Sequence, residues 1–205
     1  MASGTFITFE GGDGAGKTTL IEGIDRALCS KGKKVMRTRA PGATPLGEKI
    51  RSLLLERAEN PITTRAELFL FLADRAQHLE TQILPALSRG YLVLCDRYND
   101  STIAYQGIGR GLGKEQVAAF CHFATQGLKP RLTFYLDLDP RIGLERVSNL
   151  SKDRIEGEAL SFHEKIRAAF LELAREDLGR FCILDARQSK EELLEQALEK
   201  IQEIL

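Results

Sequence analysis

The residues best suited to chemistry lie in the run FITFEGGDGAGKTT, from Phe6 to Thr19. Glycines at 11, 12, 14 and 16 precede Lys17, Thr18 and Thr19. The spacing Gly11, four residues, Gly16-Lys17-Thr18 is that of a phosphate-binding P-loop, whose glycines let backbone N–H groups converge on phosphate oxygens. In such a loop the lysine reaches the terminal phosphates and the Thr18 hydroxyl ligates Mg²⁺. Gly11, Gly12, Asp13, Gly14, Ala15, Gly16, Lys17, Thr18 and Thr19 are therefore the candidate triphosphate-binding residues. The apolar run before the loop reads as a strand. Leu20, Ile24, Ala27 and Leu28 after it repeat at helical spacing, so the anion also meets a helix N-terminus.

A second set of residues is scattered along the chain. Asp96-Arg97 close the apolar run YLVLCDR, Arg39 follows the short strand Val35 to Thr38, and Arg51 falls on the next helix. Asp96 is a candidate metal ligand together with Thr18. An arginine beside that acid suits a second phosphorylated substrate, because guanidinium groups grip phosphate oxygens two at a time. Phe71 and Arg75 are one helical turn apart, so a ring able to stack on a base and a guanidinium able to bond its edge share a face. A guanine reader needs an N-K-x-D segment, and the chain offers only the run Asn149 to Asp153. A small-molecule kinase thus ranks ahead of a GTP switch or a remodelling ATPase.

For these residues to converge, the chain must wind into a covered sheet. Strands at Phe6 onward, Val35 to Thr38, Tyr91 to Arg97, Leu132 to Leu138 and Phe181 to Leu184 alternate with helical patterns. This predicts an α/β P-loop NTPase fold, a five-stranded parallel sheet with helices on both faces. Ligands gather at the carboxyl ends of such strands. The third strand reads as the central one. Thr64 with Glu67, and Ser189 with Glu192, read as capping boxes. The first opens a helix through Leu84 that Pro85 kinks or ends. Asn99 to Gly113 lacks periodicity and reads as a substrate-facing loop. Further helices are predicted over Lys114 to Thr125, from Arg141 to Val147 and over about Glu158 to Leu178.

Composition excludes several function classes. With 29 basic and 29 acidic residues among 205 the net charge is zero, so no global field holds the chain on nucleic acid or an anionic membrane. No apolar stretch approaches a membrane span, and MASGTFITFE lacks a basic leader region, which predicts a single soluble cytoplasmic domain over 1–205. Cys29, Cys95, Cys121 and Cys182 form no C-x-x-C pair and read as reduced core thiols. His78, His122 and His163 show no metal-ligand spacing and read as helix-surface or satisfied half-buried groups.

Several short stretches occur together. They are Phe9-Glu10-Gly11, Gly14 to Thr19, Asp96-Arg97-Tyr98 with Ser101, Ala104-Tyr105-Gln106-Gly107, and Asp153-Arg154-Ile155-Glu156. In this order, across nearly the whole chain, they resemble the thymidylate kinase family of the bacterial kind. The resemblance implies phosphorylation of dTMP to dTDP by ATP with Mg²⁺ as cofactor, in dTTP synthesis, by a homodimer. It also implies Asp13 near the sugar 3′-hydroxyl and Arg97, Arg39 and Arg51 on the dTMP phosphate. Phe71 is expected to stack on thymine, with Arg75 and Ser101 or Thr102 at the base edge. Tyr105 is expected to crowd the 2′ position, with Gln106 supporting that wall. Lys17, Arg97, Arg154 and Asp13 are the expected catalytic residues.

The family divides by whether its catalytic arginine lies in the P-loop or in a mobile lid. Here Ala15 stands at the P-loop position, so the charge is expected from a lid over about residues 147–157, with Arg146, Lys152 and Arg154 as candidates. Where the family commonly reads R-E-P-G-G-T, this chain has Arg39-Ala40-Pro41-Gly42-Ala43-Thr44 and lacks the acidic group. The rival reading is another deoxynucleotide or deoxynucleoside kinase on the same scaffold.

Overall fold

A computed structural model describes residues 4–56, 61–147 and 154–205. Five strands form one parallel sheet: β1 (Thr5–Gly11), β2 (Val35–Arg39), β3 (Leu92–Asp96), β4 (Leu132–Asp137) and β5 (Phe181–Asp185). Their order across the sheet is β2-β3-β1-β4-β5. The central strand is therefore β1 and not the third. Phe9 lies beside Asp96 on one side and Phe134 on the other. Both β1 and β3 are largely apolar because both are covered on two faces, so composition alone does not separate them.

Side chains alternate across the sheet and feed separate layers. Ile7, Phe9 and Leu136 pack with Leu20 and Ile24 of α1 (Lys17–Ser30) and with Leu193, Ala197 and Ile201 of α9 (Lys190–Ile204). On the other face Phe6, Val93 and Cys95 meet Leu79, Ile83 and Tyr98. Nearby, Tyr135 stacks on Phe170 of α8 (Leu160–Glu176) at 5.1 Å between ring centres. Thr8 and Thr133 join their hydroxyls across β1 and β4 at 2.8 Å, so the polar atoms inside that layer are satisfied.

Six further helices complete the described chain. They are α2 (Pro45–Leu55), α3 (Thr64–His78), α4 (Leu84–Ser88), α5 (Asn99–Thr102), α6 (Lys114–Ala124) and α7 (Pro140–Arg146). Pro85 does not end the helix begun at Thr64. A π-helical stretch, Leu79–Ile83, joins α3 to α4, and this change of register lies just ahead of the residue that cannot donate an N–H. The stretch expected as a loop after Asn99 is mostly helical. α5 runs into a second π-helical stretch, Ile103–Gly109, whose wider turn hides the 3.6-residue period.

The capping box at Ser189 forms as expected, with Glu192 N–H donating to Ser189 Oγ and Ser189 N–H donating to Glu192 Oε2. The one at Thr64 does not. Thr63 occupies the cap position without a side-chain hydrogen bond, and Glu67 turns inward, 1% exposed.

Candidate active site

β1 ends at Gly11 and α1 begins at Lys17, and the loop between them curls around its own lysine. Lys17 Nζ donates to Gly11 O at 3.1 Å and Gly12 O at 2.9 Å. Burial and the nearby Arg97 charge lower its pKa, against the pull of Asp96, Asp13 and Glu10. Gly14 has φ of 72°, and a Cβ there would lie 2.3 Å from Gly143 O, so only glycine lets the loop close onto α7. Thr18 and Thr19 are exposed at the first turn of α1. Ala15, by contrast, is 2% exposed and belongs to the α1 core layer, so a side chain at position 15 faces apolar packing and not phosphate.

β3 delivers the second half of the floor. Arg97 follows its last residue with φ of 66°, a left-handed turn unusual for a residue with a side chain. Buried Glu10 closes that turn by accepting from Tyr98 N–H at 2.7 Å and Ser101 Oγ at 2.5 Å. Burial and the neighbouring Asp100 push the Glu10 carboxyl up to about 7, against hydrogen bonds from Ser101 and Tyr98 and the Arg97 charge. So held, Arg97 reaches across to Asp13 Oδ1 at 2.7 Å and to Ser101 Oγ at 3.3 Å. Burial alone would raise the Asp13 pKa, but the charges of Arg97, Lys17 and His163 outweigh it and hold the group below the ordinary carboxylate range. The Arg180 guanidinium pins Asp100 through both carboxylate oxygens and so fixes α5, which carries Ser101 and Thr102.

Two cavities open above this floor. A polar cleft of about 860 Å³ is bordered by Lys17, Thr18, Thr19, Arg39, Arg51, Asp96, Arg97 and Arg146. A narrower pocket of about 130 Å³ adjoins it, walled by Phe71, Arg75, Ser101, Thr102, Tyr105 and Gln106. Asp13, Arg51 and Arg97 border both. The structure thus gathers residues from the P-loop, β2, α2, α3, β3, α5 and the π-helical stretch after it. Phe71 is half-buried on the pocket wall. Arg75 is 2% exposed, and its Nη atoms donate to Arg97 O and Tyr98 O, while its Nε finds no partner. The Ser101 hydroxyl donates to Glu10 and accepts from Arg97, so its one proton is committed to the floor.

The lid candidates separate. Arg146, at the end of α7, borders the cleft and donates to Gly14 O at 3.1 Å. Arg154 does not stand over the P-loop as expected. Its Nε donates to Leu54 O at 3.0 Å and its Nη2 to Glu67 Oε2 at 2.5 Å, which seats it against α2 and α3. The carboxylate it meets there is almost fully buried, 1% exposed, while Arg154 itself is 15% exposed. Lys152 and the rest of 148–153 lie outside the described residues.

Sequence reasoning missed Glu10 and Glu67. A glutamate inside an otherwise apolar strand was the available signal for the first. His78 and His163 are buried, each with one ring nitrogen unpartnered, which differs from the surface or satisfied placement expected. His122 is exposed. The thiols of Cys95 and Cys121 are buried, but Cys29 is exposed on α1 and Cys182 only half-buried.

A parallel sheet with a P-loop after its central strand, and an arginine-lined pocket adjoining that loop, are the architecture of a P-loop kinase. Residues 9–197 match the family model described as thymidylate kinase. The chain is 46% identical over 209 residues to the thymidylate kinase of Protochlamydia amoebophila, covering 98% of this chain and 93% of that one. It is 49% identical over 191 residues to that of Carboxydothermus hydrogenoformans, covering 93% of each. With the thymidylate kinase of Enterococcus faecalis the identity is 44% over 202 residues, covering 97% and 95%. The chain belongs to the thymidylate kinase family.

Proposed function

We infer that this chain phosphorylates dTMP to dTDP with ATP, supplying dTTP synthesis. The observation that carries the reading is the pair of adjoining cavities that share Asp13, Arg51 and Arg97. A triphosphate on the P-loop and a monophosphate in the pocket would meet at those three side chains. An oxygen of the dTMP phosphate attacks the γ-phosphorus of ATP, the bond to the β-phosphate oxygen breaks, and dTDP and ADP form. The enzyme mainly aligns the two phosphates and stabilises the charge that develops between them. Lys17 serves the donor phosphates. Arg97, with Arg39 and Arg51, serves the acceptor phosphate, and Asp13 holds Arg97 and sits beside the sugar 3′-hydroxyl. Phe71 stacks on thymine, Arg75 and Thr102 meet its edge, and Tyr105 crowds the 2′ carbon.

Mg²⁺ fits the residues present. Asp96 Oδ1 is buried without a hydrogen-bond partner, and Thr18 borders the same cleft, so one carboxylate and one hydroxyl would hold an ion that takes its other oxygens from phosphate and water. The ion would neutralise phosphate charge. From the lid side Arg146 borders the donor phosphates. Arg154 joins them by exchanging Glu67 for phosphate oxygens, with Lys152 beside it in sequence.

The chain acts as a homodimer. Phe69 on α3 and Phe120 and Phe123 on α6 expose an apolar face, 57%, 37% and 86% accessible, which is the kind of surface an isologous interface covers. Among the described residues no helix is long and apolar enough to cross a membrane. The four free thiols fit the reducing cytoplasm, where we place the enzyme.

ADP release with ATP and Mg²⁺ across a panel of nucleoside monophosphates and nucleosides tests the reading. Turnover with dTMP above all others is expected, and preference for unphosphorylated thymidine would overturn it.

A further inference from the structure

Glu67 takes no part in the chemistry described above, yet it is 1% exposed and collects three donors. Its Oε1 accepts from Gln106 Nε2 at 2.8 Å and Arg110 Nε at 3.3 Å, and its Oε2 accepts from Arg154 Nη2 at 2.5 Å. An ionised carboxylate only accepts, so Gln106 must turn its NH₂ toward it. Burial alone would raise the Glu67 pKa, but the bonds from Gln106 and Arg154 and the two guanidinium charges outweigh it and keep the group ionised. The carbonyl oxygen of Gln106 is then left without a partner among the described residues, in a side chain that borders the acceptor pocket. Arg75, on the same wall, keeps a buried Nε–H with no partner. The Gln106 carbonyl is therefore an acceptor held on this wall beside the Arg75 guanidinium. The edge of thymine or uracil offers the complement, an N3–H donor beside a C4 carbonyl acceptor. Cytosine offers the reverse, an N3 acceptor beside an amino donor.

We propose that Glu67 is a positioning residue for base selection: by holding the Gln106 amide it keeps the Gln106 carbonyl aimed into the acceptor pocket, where it accepts the N3–H of an imide base. This rests on the placement of the base beside Phe71 and Arg75 given under Proposed function. Arg154 occupies the second oxygen of the same carboxylate, so the pocket wall is also joined to a residue of the expected lid.

The test compares kcat/KM for dUMP and dCMP, two substrates that both lack the methyl group and differ only at N3 and the C4 substituent. In Glu67→Gln the amide of Gln106 is free to flip. The preference for dUMP over dCMP should fall on the order of tenfold, and KM for dTMP should change more than kcat. A purely structural role would scale both substrates together and leave the ratio alone. A folded Glu67→Gln whose ratio stays within about twofold of the parent overturns the proposal. If that variant does not fold, Gln106→Met is read instead. It lacks the carbonyl and must show the same collapse of the ratio, and an unchanged ratio again overturns the proposal. Phe71→Ala in the same assay separates the two inferences. Unchanged KM for both dTMP and dUMP would remove the base from this pocket and defeat both, whereas a raised KM with an unchanged Glu67→Gln ratio defeats the Glu67 assignment alone.

Discussion

Glu10 and Glu67 are both buried carboxylates beside the site, and their surroundings drive them in opposite directions. Glu10, under the floor, accepts from a backbone N–H and a hydroxyl, has Asp100 for a neighbour, and is pushed up to about 7. Glu67, in the wall, accepts from an amide and two guanidinium groups and stays below the ordinary range. Burial is common to both, so the partners decide the charge. The floor joins the hydrogen bonds of Glu10 to the Arg97–Asp13 ion pair, while the wall gathers α3, the π-helical stretch after α5 and Arg154 of the expected lid around one carboxylate. The floor fits fixed alignment of phosphates and the wall fits recognition that differs between bases.

The largest effect should come from the floor. Lys17→Ala removes a preorganised charge worth about 3 to 4 kcal/mol at the transition state, so kcat should drop on the order of a hundredfold or more, with an unchanged melting temperature as the control. Near-normal turnover in the folded variant would take the P-loop out of the mechanism.

Against the wall, Phe71→Ala should raise KM for dTMP and leave KM for ATP alone, because a base–aromatic stack contributes roughly 1 to 3 kcal/mol. Unfolding titration checks the alternative. A loss of stability with dTMP affinity retained would make Phe71 a packing residue.

Arg154→Ala asks whether that arginine belongs to the wall or to the phosphates. Exchange onto the phosphates predicts a fall in kcat larger than the rise in KM for dTMP. A rise in KM alone would confine Arg154 to its contact with Glu67 and leave Arg146 as the lid-side cation.

The smallest effect separates the two carboxylates by pH. Between its ordinary value of 4.5 and about 7 the unfolded chain releases a Glu10 proton that the folded chain keeps, so this group's contribution to stability is full below that window and lost as pH rises through it. Glu67 has the opposite sign. Its contribution is present above the unfolded pKa and is lost as pH falls through its lowered folded value. The melting temperature of the parent, measured relative to Glu10→Gln, should therefore decline from pH 5 to pH 7. A flat difference would show that Glu10 is ionised throughout.

Much of this was legible in the sequence for local reasons. The P-loop glycines and Lys17 are contiguous, most of the strands are short, largely apolar runs, and Ser189 with Glu192 forms the cap that its spacing announces. Glu67 was not legible, because Thr64 and Glu67 have that same spacing and only tertiary contacts decide that the glutamate serves Gln106 and Arg154 instead of a helix end. The helical nature of Ile103–Gly109 was hidden by its π register, which breaks the period that identifies a helix. The seat of Arg154 was hidden too, since its partners Leu54 and Glu67 are far away in sequence.

A crystal structure with dTMP and a non-hydrolysable ATP analogue tests the account most directly. It should show thymine against Phe71, its N3–H on the Gln106 carbonyl, the Gln106 amide still on Glu67, and the two phosphates meeting at Arg97. A base bound outside that pocket, or a Gln106 whose amide group faces the base, would contradict it.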